Sequence, residues 1–399
     1  MNKEELINKI NNIVNFITNG KVKMFNQTFN GHPNFYLVHS KDEFNQKLDS
    51  ILKEKTYDKY DLYYYTNYMF KYMLDKYDSH TKIKFINDKY LPIKIRNFNK
   101  IPYIVDCNNE YKKYKGTKIL KINDINIDII IEELEKIICY PSENYLKIEL
   151  EKYLSDVNVL KSLPSVNISN IIKLKTNKGE IIFDLDNLSE YKDINIKENY
   201  SLETINKTAV ITYNSCKDEE KMIDLVKKLS NMNKIENYII DIRGNGGGNS
   251  KVNKPLEKFL KDKKKVVLCD GRVFSSAIML LITLKNQGAT IIGTPPATSI
   301  NHFGNCAMQK EFKEMNLIVM GSATYWYYDE NLKLHGYYKD EFDEALKENP
   351  NMIKPIFIDV DKKIELTLED YINNNDSVLN YVIKEVNRWW IWQIIMNYI

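Results

Sequence analysis

Residues 237–249 read NYIIDIRGNGGGN, and the rest of the chain is best understood outward from them. Tyr238, Ile239, Ile240 and Ile242 form a short apolar run that stops at glycine, the pattern of a strand buried on both faces of a helix-covered sheet. Gly244, Gly246, Gly247 and Gly248 then free the backbone to take positive φ and to approach a ligand closely. Consecutive N–H groups in such a loop can converge on an anion or a developing oxyanion. A glycine-rich turn at a strand end with no further role has the same letters. Two nucleotide readings fail. A dinucleotide fingerprint started at Gly244 needs glycine in the sixth place, where Asn249 stands, and no Gly-Lys-Ser/Thr follows to make a phosphate loop.

Residues 266–304, VVLCDGRVFSSAIMLLITLKNQGATIIGTPPATSINHFG, predict a strand over Val266–Cys269, a turn, an apolar helix from about Ser275 to Leu284, and a strand over Ala289–Gly293. A serine at the mouth of that helix sits near the positive end of its dipole. The pair DIRGNGGG and DGRVFSSA…GATIIGTP resembles the C-terminal-processing peptidases, the tail-specific and tricorn-core serine peptidases. A third stretch, Asp78-Ser79-His80-Thr81, resembles that family's Asp-x-His-Thr/Ser signature.

The resemblance implies a serine peptidase that hydrolyses peptide bonds through an acyl-enzyme, with no metal and no cofactor. Aligned on Gly288 and Gly293, it puts the nucleophile at Ser275, the general base at His80, and the oxyanion hole at the amides of Gly247 or Gly248 and of Ser276; Ser79 is the supporting neighbour. Histidine suits a base because its ordinary pKa lies near neutrality. His302, close in sequence to the Ser275 segment, is the rival, while His32, His39 and His335 read as structural. In the family's serine–lysine version the lysine position falls near Ser299, and Lys285 and Lys310 do not match it. An acid that orients the histidine is expected in the C-terminal part, with Asp359 and Glu341 as candidates. Two departures lie beside the site: Ile278 stands where relatives carry Glu, and Gly293–Thr298 reads GTPPAT in place of Gly-Glu-Pro-Thr-Gly-Gly. They motivate an alternative, a catalytically degenerate, peptide-binding pseudoprotease of the same fold. A crotonase-like acyl-thioester enzyme would share the core but gives no account of Asp78–Thr81.

The totals narrow the class. Over 399 residues, 57 Lys and Arg balance 54 Asp and Glu, so no strong field attracts nucleic acid or anionic lipid. Five scattered cysteines, with no Cys-x-x-Cys or His-Glu-x-x-His spacing, speak against zinc and suit a reducing compartment. The first twenty residues lack an uninterrupted apolar stretch, so no signal peptide is visible and a cytoplasmic protein is expected. No run of 18 apolar residues would span a membrane. The expected partner is a peptide or protein substrate, with a homo-oligomer left open.

Along the chain, Leu6, Ile10, Ile13 and Ile17 predict a helix ended at Gly20. Ser40-x-x-Glu43 is a capping box before a second helix, and Leu62 to Met73 make a third. From Ile101 the pattern turns to short strands, with helices at 129–138 and 144–154 and a hairpin around Asn177-Lys178-Gly179. From Thr208 it is α/β. The expected fold class is α/β: a ClpP/crotonase-type core, implied by the resemblance, with a helical N-terminal domain and a small β-rich middle region. The expected division is 1–100, helical and carrying the Asp-Ser-His-Thr motif; 101–200, β-rich, with GTKILKIND faintly resembling a PDZ remnant; 201–385, the peptidase core; and 386–399, an apolar tail.

Overall fold

The computed structural model describes residues 1–24, 26–189 and 198–386; the predicted apolar tail around Trp389–Ile395 lies outside the described residues. The chain forms two compact units, Met1–Lys192 with Ser299–Ile356, and Asp193–Thr298 with Phe357–Ile399.

The second unit is built on one sheet whose strands lie side by side in chain order: β1 (Tyr200–Ile205), β2 (Thr208–Tyr213), β3 (Asn237–Asp241), β4 (Lys264–Cys269), β5 (Thr290–Gly293) and β6 (Lys362–Lys363). β1 and β2 pair antiparallel, and every later pair is parallel. Parallel neighbours require crossovers, and α1 (Glu219–Ser230), α2 (Lys254–Leu260) and α3 (Ser276–Asn286) lie in the three that link β2 to β5. The apolar run predicted around Ile239 is β3, buried along Tyr238–Asp241. On one face Val210, Ile239, Leu268 and Ile292 pack with Val378, Val382 and Val386 of the helical stretch 377–386. On the other, Tyr238 meets the Phe259 ring of α2 edge-on at 5.5 Å. α3 is apolar nearly all round, so Ala277, Ile278, Leu280, Leu281 and Leu284 are all buried.

In the first unit, helices Lys3–Asn19, Lys41–Ile51 and Lys59–Leu74 form where the periodicity places them, all three with complete capping boxes. Gly20 ends the first helix with an ordinary φ of −63°; glycine is needed there because a Cβ would stand 2.4 Å from Phe16 O. The predicted hairpin pairs Ile171–Thr176 with Gly179–Asp184. The domain lines drawn from sequence differ from this division. Residues 1–100 and 101–189 share one apolar core, in which Leu6, Phe70, Ile104, Ile122 and Leu174 are buried together. Residues 299–356, expected in the α/β core, belong instead with this unit: Leu317–Gly321 pairs antiparallel with Lys82–Phe85, and Phe303, Tyr325 and Phe342 form a cluster of their own. Pairing between segments so far apart leaves no local pattern to read.

Candidate active site

β3 and β4 pair with Asp241 opposite Leu268, so the loops leaving their carboxyl ends are neighbours, at the end of the sheet where open α/β folds place ligands. Asp270 ties these loops together, its Oδ1 accepting from the amides of Gly244 (2.9 Å) and Arg272 (3.0 Å). Phe274 N donates to Asn245 O (3.0 Å), and Ser276 Oγ donates to Gly248 O (2.7 Å). Gly247 has φ +90°, and a Cβ on it would stand 2.7 Å from Phe274 O and 2.9 Å from both Ser275 Cβ and Ser276 N. Only glycine lets the two backbones meet this closely.

Ser275 precedes α3 with φ 55° and ψ −124°, a conformation that costs a residue with a Cβ about 1–3 kcal/mol and that clusters at functional sites. The Gly247 amide donates to Asn245 Oδ1 at 2.9 Å. The amides of Gly248 and Ser276 donate to no group of their own unit among the described residues, and Ser276 N–H belongs to the unpaired first turn of α3. Of the amides implied by the resemblance, Gly247 is therefore engaged, while Gly248 and Ser276 stay free within their unit.

Several residues that the sequence reading passed over hold this arrangement. Asn245, fully buried, donates from Nδ2 to Tyr213 O (2.9 Å). The Tyr213 hydroxyl donates to Asn253 Oδ1 (2.7 Å), and Asn253 Nδ2 donates to Ser276 O (2.9 Å). Arg243 clamps two carboxylates, with Nε and Nη2 on Asp241 (2.8 and 2.6 Å) and Nη1 and Nη2 on Asp376 (2.8 and 2.6 Å). Its two-sided fork fastens the base of the glycine loop to the start of the helical stretch 377–386. Tyr213, Asn253 and Asp376 carry no local sequence signal; Asn245 and Arg243 could have been picked out only as the polar letters inside the glycine motif.

In the first unit, His80 lies between helix Lys59–Leu74 and strand Lys82–Phe85. Its turn is built on Asp78, which is fully buried and whose Oδ1 accepts from the amides of His80 (2.7 Å) and Thr81 (3.1 Å). Asp78 Oδ2 accepts from Thr81 Oγ1 and His32 Nε2, the latter at 2.9 Å. Burial alone would raise the Asp78 pKa; the His32 hydrogen bond and the surrounding histidines outweigh it and hold the carboxyl well below its usual range. On the far side of the ring, Asn34 N donates to His32 Nδ1 (3.1 Å). His32, read from sequence as structural, is the buried partner of the motif's aspartate.

The His80 and His302 rings stack 5.5 Å apart at 14°. Burial, then the charge of His302, pushes the His80 pKa down to about 3, so the ring is neutral at physiological pH. His302 Nδ1 lies 2.9 Å from Ile300 O and carries its own proton there. Ser79 is half-buried, with the Tyr145 hydroxyl 3.5 Å from its carbonyl. The two acids offered as orienting groups serve nearby backbone: Asp359 Oδ1 accepts from Val360 N (2.9 Å), and Glu341 Oε2 lies 3.5 Å from Tyr338 N. Ser299, at the lysine position of the serine–lysine version, accepts from Asn301 N (3.1 Å) and Ile356 N (3.0 Å). Among the described residues, no group of three His, Cys, Asp or Glu side chains could hold a metal, and no helix is long and apolar enough to cross a membrane.

Residues 207–253, which carry β2, α1, β3 and the glycine loop, match the model of peptidase family S41. Over this segment the chain is similar to the S41 peptidases. No curated protein matches it by sequence. The structure resembles mature CPAF complexed with lactacystin, with a TM-score of 0.59 and 11% identity over 99% of each chain. It also resembles mature CPAF, with a TM-score of 0.57 and 11% identity over 94% of this chain and 99% of that one. At such identities the likeness is one of fold. The photosystem II D1 C-terminal processing protease is more distant, with a TM-score of 0.44 and 9% identity over 91% of this chain and 93% of that one, and carries no argument.

Proposed function

We propose that the chain is a serine peptidase that cleaves peptide bonds through an acyl-enzyme, with Ser275 as nucleophile and His80 as general base. The observation that carries this reading is the Ser275 turn: a serine in a costly backbone conformation at a helix N-terminus, beside the Gly248 and Ser276 amides. Ser275 Oγ adds to the scissile carbonyl as His80 takes its proton, and the carbonyl oxygen becomes an anion received by those two amides. Collapse breaks the C–N bond, and the leaving amine takes the proton from His80. Water then attacks the ester, giving its proton to His80, and hydrolysis releases the acid and restores the serine. Asp78 acts on the base through the backbone of its turn, and Ser79 completes that turn. The parallel sheet with crossover helices is consistent with a ClpP/crotonase-type core.

A second reading, a degenerate relative that only binds peptides, is favoured by Ile278, which is buried in α3 with no polar atom to offer, and by the changed Gly293–Thr298 segment. Hydrolysis of a defined peptide library by the parent, Ser275→Ala and His80→Ala separates the two. The peptidase reading expects turnover that falls by as much as about 10⁶-fold on loss of the nucleophile. Peptide binding by well-folded parent without any cleavage would replace it with the second reading.

A further inference from the structure

The strained Ser275 turn is held from behind by a chain of buried polar groups that starts at one residue. Tyr213 ends β2 and is fully buried, as are Asn245 and Asn253. From Tyr213 the contacts run two ways. Its carbonyl accepts from Asn245, whose Oδ1 receives the Gly247 amide; its hydroxyl donates to Asn253, whose Nδ2 reaches Ser276 O. One branch therefore fixes the glycine loop and the other the first residue of α3, and the Ser276 hydroxyl on Gly248 O closes the ring. Each side-chain amide in it uses its carbonyl as acceptor and its NH₂ as donor, so its orientation is determined by its partners.

We infer that Tyr213 and Asn253 are positioning residues of the proposed acyl transfer, acting through Ser276 to aim its amide, together with that of Gly248, at the oxyanion. The inference rests on the reading of Ser275 as nucleophile, and it explains why two buried asparagines and a tyrosine hydroxyl are spent behind a serine that itself needs restraint. Polar groups inside a core carry a desolvation penalty when unpaired, and an apolar filling would support α3 equally well. What that filling could not do is fix the direction of the Ser276–Ala277 peptide plane and, through the Ser276 Cα, restrain the adjoining plane that carries the Ser276 N–H.

Tyr213→Phe removes one oxygen and frees Asn253 to turn; Asn253→Asp keeps the acceptor for Tyr213 but sets a carboxylate oxygen against Ser276 O. A misplacement of about 1 Å at a reacting centre can cost about 10²-fold. Two readouts are taken on parent and both variants, under conditions where all are folded: fluorophosphonate labelling of Ser275 across pH, in which the hydroxyl displaces fluoride at phosphorus, and amide hydrogen exchange. The expected result is labelling slowed by about 10²-fold in both, with exchange faster at 276–278 and unchanged at 247, whose Asn245 partner keeps the Tyr213 carbonyl, and in β3 and β4. Asn253→Asp alone should recover toward the parent as pH falls, because its protonated carboxyl can again donate to Ser276 O. Exchange at 276–278 equal to the parent's in both variants would overturn the inference, whatever the chemistry. Parental labelling rates in both variants would do so too. Loosened exchange in protein whose parent never labels would uphold the strut and reject the peptidase reading instead.

Discussion

Gly247→Ala should damage the protein where Gly246→Ala does not. A methyl at 247 meets Phe274 O at 2.7 Å and Ser275 Cβ and Ser276 N at 2.9 Å, contacts with backbone that cannot swing aside, and the residue must also hold φ +90°. Positive φ costs a residue with a Cβ about 1–2 kcal/mol, and overpacking typically adds about 1–3 kcal/mol. The sum is about 2–5 kcal/mol. In a domain of this size each kcal/mol moves Tm by about 2–4 °C, so the variant should melt roughly 5–20 °C lower. Relief by backbone movement would have to shift the Ser275 turn, so acylation should slow in whatever fraction remains folded. Gly246 has no atom within 4 Å of its would-be Cβ and no positive φ, and its alanine variant should stay within about 0.5 kcal/mol of the parent. Thermal melts and a fluorophosphonate time course on the three proteins make the comparison. Equal stability of Gly247→Ala and the parent, or equal damage at both positions, would refute the close-approach argument.

Arg243→Ala leaves Asp241 buried without its fork partner and should cost about 3–5 kcal/mol by urea unfolding; Asp376→Asn, at a carboxylate one-third exposed, should cost far less. His32→Ala removes a buried hydrogen bond to Asp78 and should lower both stability and acylation, and Asp78→Asn should do the same while changing the acid limb of stability. The sign for Asp78 is that of a depressed carboxyl: its contribution is present above the unfolded pKa of about 3.9 and is lost as pH falls below it, so the urea midpoint of the Asn variant should fall less steeply than the parent's below about pH 4. For His80 the buried neutral ring resists protonation, so the unfolded chain takes up a proton first as pH drops below about 6.5, and stability should decline from there toward the folded value of about 3. His80→Gln should flatten that decline, at most about 1.4 kcal/mol per pH unit, and parental acylation should persist well below pH 6.

The parts of this site legible in the sequence are those made by short segments. The apolar run before the glycines, the helix after Ser275 and the Asp78–Thr81 turn each obey a local rule, and all formed where those rules put them. What could not be read depends on pairing across distance. Segment 299–356 joins the N-terminal unit because Leu317–Gly321 finds Lys82–Phe85, and nothing local to either strand announces it. His32 looks like any isolated histidine until Asp78 is seen beside it. Tyr213 and Asn253 look like a strand end and a helix start, because their function lies in a hydrogen bond over forty residues of chain. Gly247 and Gly248 look alike as letters, and only the fold shows that the amide of one is taken by Asn245 while the other is left free within its unit.

The most direct test is the site of covalent modification. Folded protein is treated with a fluorophosphonate, its intact mass is measured, and the adduct is mapped by peptide sequencing in the parent and in His80→Ala. A single adduct on Ser275 is expected, formed rapidly in the parent and slowed by several orders of magnitude without His80. An adduct on any other residue, or modification of Ser275 at the same rate in both proteins, would contradict it.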